Sequence, residues 1–414
     1  MQPTSSAPAA RPANATLILL ASLYCAQGLP SGLLAHSLPV LLRQHGVDLA
    51  LIGLLKLLAL PWLLKVLWAP WVDRLASPRL GHHRGWILPL QLGVITVIAT
   101  LALMSPERLF DSHFFLLIGL LLLVNLAAST QDIATDGLAV RLLPERWRGL
   151  GNSLQVGGYK VGMLVSGSGL LLAMDALGWN LSVALVALLL VLMTLPIWRF
   201  NERRELPFQP AQAEPAGRGL LLQPGMLFWL AVLLSFKLGD ALGSPMIKPM
   251  LVDQGWSNAE LGQLTLISSL AGIAGAFLGG LLYARIGALR ALLLFGLLQA
   301  CGIAAMALLV NAGSSTGLVY LVALFEQTAD GMSTVALFAV MMRQCRPEHE
   351  GADFTLQASV QLLLAGLVGA TSGWLAEQLG FATLFISAGV LGLLALPIVL
   401  LYFWRGARPA TSAV

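Results

Sequence analysis

The sequence predicts an all-α polytopic membrane protein of twelve transmembrane helices arranged as two six-helix halves. Three observations predict it. The chain is 57% hydrophobic and 11% charged, whereas a soluble domain carries about 25% charged residues. Apolar runs of roughly 20 residues recur along its length, each long enough to cross the ~30 Å hydrocarbon layer. One long polar connection, Arg199 to Gln223, is charged and proline-rich and lies near mid-chain.

Taken in order, the apolar runs place spans near 16–42, 49–71, 86–105, 113–140, 151–173, 179–198, 225–250, 259–283, 290–310, 317–342, 354–376 and 381–404. Residues 1–15 are polar and rich in Pro and Ala, without a charged start followed by a short apolar core. That pattern predicts a disordered tail rather than a cleaved signal. The halves are then residues 1–198 and 225–414, joined by a linker at 199–224. Seventeen arginines fall on the side that holds the N-terminus and the linker; only Arg43 and Arg108 fall on the other. The positive-inside rule therefore predicts cytosolic termini and a cytosolic linker.

A weak repeat supports the halves. Gly46, Ile52 and Gly53 recur as Gly255, Leu261 and Gly262, and Gly149, Leu154 and Gln155 as Gly351, Leu356 and Gln357. Arg285, in GGLLYARIGALR, answers the Asp73-Arg74 turn. Parallel six-span repeats are the pattern of major facilitator transporters, whose site lies near the midplane between the halves. Gly158, Gly162 and Ser166, and likewise Gly272, Ala276 and Gly280, show the small-xxx-small spacing that lets helix backbones approach closely in lipid.

Ionisable residues within the spans are the candidate site, because an isolated charge at the bilayer centre costs roughly 2.5–3.5 kcal/mol on insertion scales. Asp132 and Asp136 are four apart and share a helix face. At ~1.5 Å rise per residue, Asp132 lies about 13 Å in from Arg141 and Asp136 about 8 Å, so Asp136 can instead pair with a loop arginine. Gln131 adjoins Asp132. Lys160 lies ~18 Å in from Arg148, beside Asn152, Gln155 and Tyr159. In the second half Lys237 and Asp240 are three apart and can neutralise each other. Gly239, Gly243 and Pro245 predict a bent helix there. Glu326 and Asp330 share a face with no lysine adjacent on their own helix, which suits a proton-coupling role. Gln27, His36, Lys56, Gln357 and Gln361 add polar points elsewhere. Trp62, Trp68, Trp71 and Trp86 cluster towards span ends, as an interfacial aromatic belt does.

No other chemistry is signalled. Cys25, Cys301 and Cys345 have no metal-ligand spacing, and His82 and His83 adjoin in a loop without a partner cluster, so neither metal nor cofactor is expected. The chain has no HExxH or GxSxG motif, which argues against a membrane enzyme. Two repeats with charged midplane groups argue for a carrier rather than a channel. A small-molecule substrate and membrane lipid are the expected partners of a monomer, with no role for nucleic acid.

The segment KVLWAPWVDR (65–74), HRGW (83–86), TQDIATDG (130–137), LLPERWRG (142–149) and GYKVGMLVSGSG (158–169) together resemble the AmpG-like branch of the major facilitator superfamily. With the opening CAQGLPSGLLAHSLPVLLRQHG (25–46), the twelve-span length is most similar to the RhtX/FptX family of siderophore permeases. That resemblance implies proton-motive-force-driven uptake of a ferric siderophore of the pyochelin type across the inner membrane; a muropeptide is the alternative cargo. The family's loop motif falls on Asp73 and Arg74. It implies a cytosolic latch in which Asp73 meets a helix start or an arginine, although Ala69 replaces the motif's first glycine. On chemical grounds, a sugar–peptide would favour a broad polar cavity, whereas the inferred cavity polar groups are few and better suit a compact, partly apolar chelate.

Overall fold

A computed structural model describes residues 12–45, 55–206, 218–310 and 315–406. The expected tail up to residue 11, the first repeat motif (Gly46, Ile52, Gly53), the start of the second span, the linker core at 207–217 and the side chain of Lys56 lie outside the described residues. The described residues are helical throughout their spans, and no strand is found among them. The principal helices are α1 (Asn14–Gly32), α2 (Leu60–Leu64), α3 (Ala69–Arg74), α4 (His83–Leu103), α5 (Phe114–Leu142), α6 (Arg148–Leu164), α7 (Leu170–Arg199) and α8 (Glu202–Glu205). They continue with α9 (Met226–Phe236), α10 (Leu238–Gly243), α11 (Ile247–Asp253), α12 (Asn258–Ile286), α13 (Ala288–Ala305), α14 (Thr316–Gln344) and α15 (Glu350–Gly406).

Nine helical stretches among the described residues are long and apolar enough to cross a membrane. The difference from twelve has three physical sources. The last stretch, Glu350–Trp404, holds two spans, because α15 is broken at Gly380, whose φ of 77° reverses the chain between them. The tenth span, α14, carries Glu326 and Asp330 along a 29-residue helix and is less apolar than the others. The second span is discontinuous: a 3-10 turn at Leu55–Ala59, α2, a second 3-10 turn at Lys65–Leu67, then α3. Pro61 and Pro70 each stand at the start of one of these short helices, where a missing N–H costs nothing.

Two compact units emerge from the contacts. One comprises Met1–Pro144, Leu154–Gly217 and Cys345–Ser359; the other comprises Glu145–Ser153, Arg218–Gln344 and Val360–Val414. In the first, Leu29, Leu33, Ile98, Leu117, Leu121 and Leu190 share one apolar core. Leu23, Val72, Ile87, Ile133 and Ile197 share a second core with Ala352. In the second unit, Met250, Leu264, Met306, Val319 and Phe385 pack together. Leu122, Leu188, Leu192, Leu294, Leu363 and Leu394 are exposed. Helices apolar on every face suit a lipid solvent.

The small residues set the closest approaches. A Cβ on Gly162 would overlap the carbonyl of Cys25 and come within 2.9 Å of Gly28 Cα. Only glycine lets α1 and α6 touch backbone to backbone there. Ser37 Oγ then lies 2.9 and 2.8 Å from the Ser166 and Gly167 carbonyls, and its one hydrogen faces that pair. In the second unit the same device seats Gly331 of α14 against Gly272 of α12.

Candidate functional site

Each unit carries a buried polar cluster within its spans. In the first, Lys65 forms a buried ion pair with Asp132. The 3-10 turn at Lys65–Leu67 delivers the ammonium to the α5 face that also presents Asp136, one turn on. Asp136 accepts from Tyr24 Oη at 3.0 Å and from Gln155 Nε2 at 2.9 Å. A rim of further polar pairs surrounds these acids. Gln131 Nε2 donates to Gln91 Oε1 at 3.1 Å, Trp62 Nε1 to Asn125 Oδ1 at 3.1 Å, and Trp68 Nε1 to Thr130 Oγ1 at 3.1 Å. Tyr159 meets Trp62 edge-on, ring centres 6.4 Å apart. Two buried polar atoms here have no hydrogen-bond partner among the described residues, Gln91 Nε2 and Gln155 Oε1; Gln27 Nε2 of α1 is another such atom in this unit.

In the second unit Lys237 stands in the break between α9 and α10, with φ −107°. Its ammonium donates to Asp330 Oδ1 at 2.7 Å, Ser333 Oγ at 2.8 Å and Gln299 Oε1 at 3.2 Å. One turn on from Asp240, in the 3-10 turn Ser244–Met246 that follows α10, Ser244 Oγ lies 2.7 Å from Asp240 Oδ1 and 3.3 Å from Glu326 Oε1. Gly302 of α13 has no side chain to hold α14 away at Glu326.

The loop ahead of α4 is also built. Asp73 is buried and its Oδ2 accepts the Ala352 N–H at 2.7 Å, on the first turn of α15. Burial pushes the Asp73 carboxyl up to about 8, against the downward pull of the Ala352 and Gly351 N–H groups; Glu350 and Asp353 push it up further. Arg74 is half-buried beside it. Arg346 clamps Asp353 through two contacts of 2.9 Å, beneath the same helix start. Glu202 of α8 accepts from the backbone N–H of His83 and of Arg84, at 3.0 and 2.8 Å, and lies 2.7 Å from His83 Nδ1. It thus closes the N-terminus of α4, where a carboxylate is favoured. His82 Nε2 lies 2.7 Å from the Val72 carbonyl. Burial, with His83 alongside, lowers its imidazole to about 4, so it is neutral.

Several expectations change. Lys237 pairs with Asp330 of α14 and not with Asp240 of its own bend, so Asp330 does have a lysine. Asp136 meets Tyr24 and Gln155, whereas the nearby Arg141 faces Glu350 at 4.0 Å. Lys160 is half-buried and makes no ion pair among the described residues; the lysine that pairs with Asp132 is Lys65. Trp62 and Trp68 donate to side chains of α5. His83 has a carboxylate partner after all. Asn152 donates to the Arg148 carbonyl at 2.8 Å and to Met342 Sδ at 3.4 Å, apart from Gln155. Gln357 bonds to the Asp353 carbonyl at 3.1 Å within its own helix. Gln361 is half-buried and joins neither cluster.

Lys65, Tyr24, Gln91, Asn125, Ser244, Gln299 and Ser333 are the partners that sequence inspection passed over. Lys65 alone was signalled, as a lysine inside an apolar run. The others are neutral residues, and only their cross-helix partners distinguish them.

The chain is similar to the anhydromuropeptide permease of Escherichia coli (strain K12), with 30% identity over 400 residues, 93% of this chain and 79% of that protein. It is 26% identical to putative transporter AmpG 4 of Rickettsia conorii over 389 residues, 90% of this chain and 93% of the relative. Among solved structures, a bacterial homologue of the iron transporter ferroportin in an outward-facing state superposes with a TM-score of 0.70. It has 17% identity and covers 94% of this chain and 99% of its own. The proton:xylose symporter XylE superposes with a TM-score of 0.68 at 14% identity, covering 95% of each chain. These two likenesses show the fold alone. The Major Facilitator Superfamily model matches residues 20–370 and 238–413. An integral membrane chain with buried ion pairs in its spans, matched along nearly its whole length, is a secondary transporter and belongs to the Major Facilitator Superfamily.

Proposed function

We propose that this transporter imports an anhydromuropeptide across the bacterial inner membrane by alternating access, driven by the proton-motive force. The observation that carries the reading is the polar lining of the first unit. Around the Lys65–Asp132 pair it offers Gln91 Nε2 and Gln155 Oε1 as buried atoms without partners among the described residues, and α1 adds Gln27 Nε2. Such groups cost free energy until a ligand satisfies them, and a sugar–peptide, dense in hydroxyls and amides, is suited to do so. Sites of this kind reject cargo that leaves their polar atoms unpaired. The expectation of a ferric siderophore rested on the family resemblance, with few cavity polar groups as a secondary argument, and the cluster is richer than that argument supposed. The named permease relatives also favour the muropeptide alternative, and the ferroportin likeness carries no argument about iron.

Orientation belongs to the same proposal: both termini and the linker are cytosolic, by the arginine asymmetry. Asp73 at the start of α15 would then act as a cytosolic latch that must release during each cycle. Reconstituted protein should take up labelled anhydromuropeptide with saturation and counterflow, and should not take up ferric pyochelin. Saturable uptake of the ferric siderophore with no muropeptide flux would return the assignment to the siderophore.

A further inference from the structure

The cluster of the second unit can be read by counting hydrogens. An ammonium has three N–H donors, and Lys237 spends them on Asp330, Ser333 and Gln299. It has none left for Asp240 or Glu326. Among the described residues, α13 presents Gln299 and no charge at this point, so the cluster's one cation is already matched by Asp330. Two carboxyl groups remain, one from α10 and one from α14, joined by a single serine hydroxyl.

That hydroxyl carries one hydrogen. It can donate to one carboxylate oxygen only, and its lone pairs must then face a donor from the other side. Were both acids ionised, a serine lone pair would point at an anionic oxygen in a cluster without a spare cation. The consistent arrangement makes one carboxyl an acid. The 2.7 Å contact to Asp240 is the shorter of the serine's two and suits a hydroxyl donating to an anion, and Asp240 is half-buried rather than sealed, so the charge is assigned to Asp240. Glu326 is 1% exposed. Its Oε2 accepts from Gln327 Nε2 at 2.9 Å, leaving Oε1 as the O–H that donates to Ser244 across 3.3 Å.

We propose that Asp240, Ser244 and Glu326 form a proton-binding and relay site, in which Glu326 holds the coupled proton. The proposal rests on the reading of the chain as a proton-driven transporter and names where the proton sits. In the relay step Glu326 Oε1 gives its proton to Ser244 Oγ while Ser244 gives its own to Asp240 Oδ1. One O–H bond breaks and one forms at the serine, and the negative charge moves from Asp240 to Glu326. The Lys237–Asp330 ion pair lies beside this relay. Asp240, the more accessible acid, is the port through which the proton enters and leaves.

Infrared pH titration of the whole protein in lipid nanodiscs tests the site without any cargo. The wild type should show a carboxylic-acid C=O band that titrates. Glu326→Gln should remove it, and Ser244→Ala and Asp240→Asn should each move its midpoint. A band that persists in Glu326→Gln, or that never titrates because the acid is static, overturns the proposal. So does a midpoint unmoved by Ser244→Ala, the mildest change and the one to rely on if Glu326→Gln fails to fold. A flux measurement reads the coupling. In proteoliposomes with about 100 mV imposed, each net positive charge carried inward per cycle supports a roughly fifty-fold gradient of the cargo, and Glu326→Gln should lower the gradient by removing the coupled proton's charge. Equal accumulation by the variant overturns the proposal. Absence of muropeptide flux in the wild type, with the infrared results as expected, removes the cargo and leaves the proton site standing.

Discussion

Lys65 and Asp132 bury opposite charges where neither could remain alone. Removing one partner of a buried pair leaves an uncompensated charge and costs about 3–5 kcal/mol, whereas neutralising both is often tolerated. Lys65→Met should therefore lower the thermal unfolding temperature in detergent sharply, and the Lys65→Met/Asp132→Asn double variant should recover most of the loss. Equal destabilisation by single and double variants would show that the pair contributes nothing as a pair. Asp73 offers a pH test. Its carboxyl is pushed from 3.8 up to about 8, so between those values the unfolded chain has lost a proton that the folded chain keeps. Stability contributed here falls as pH rises through that window. Thermal scans from pH 5 to 8, chosen within that span, should show the decline, and Asp73→Asn should flatten it.

At the scale of elements, breaks matter as much as helices. The second span reaches its partners because two 3-10 turns re-aim Lys65, Trp62 and Trp68 towards α5, which a straight helix would not do. The seventh breaks at Lys237 for the same purpose. Elsewhere the opposite holds, and uninterrupted contact is the point. The α1–α6 seam at Gly28 and Gly162 leaves no room for a methyl group. Overpacking of this kind costs typically 1–3 kcal/mol. Gly162→Ala should lower stability by about that amount, and Gly162→Leu should abolish a folded, monodisperse preparation. Gly93, whose Cβ would meet nothing within 4 Å, is the control: Gly93→Ala should be neutral or slightly stabilising, since alanine is the better helix former.

For the whole molecule the testable quantity is orientation. Alkaline phosphatase inserted in the linker between 207 and 217 should remain inactive, and the same enzyme inserted after Arg108 should be active. The reverse pattern would place the arginine-rich loops outside. The latch at Asp73 and the Glu202 closure of α4 would then face the periplasm, and direction of transport would have to be reassigned.

Composition and the period of the apolar runs determined the membrane environment, the helical class and the approximate spans, because the bilayer imposes one length and one polarity on every crossing segment. They also marked Asp132, Asp136, Lys237, Asp240, Glu326 and Asp330 as costly residues in need of partners. Which partner each one takes was decided only by tertiary structure. Asp132 is 67 residues from Lys65, and Lys237 is 93 from Asp330. An i, i+3 spacing such as Lys237 to Asp240 says what can touch along one helix and nothing about what a neighbouring helix offers. The neutral members, Tyr24, Gln91, Ser244 and Gln299, carry no sequence signal, since a hydroxyl or amide in a span is unremarkable until a carboxylate lies within hydrogen-bond distance of it. Buried electrostatics is settled across helices, at separations a linear pattern does not encode.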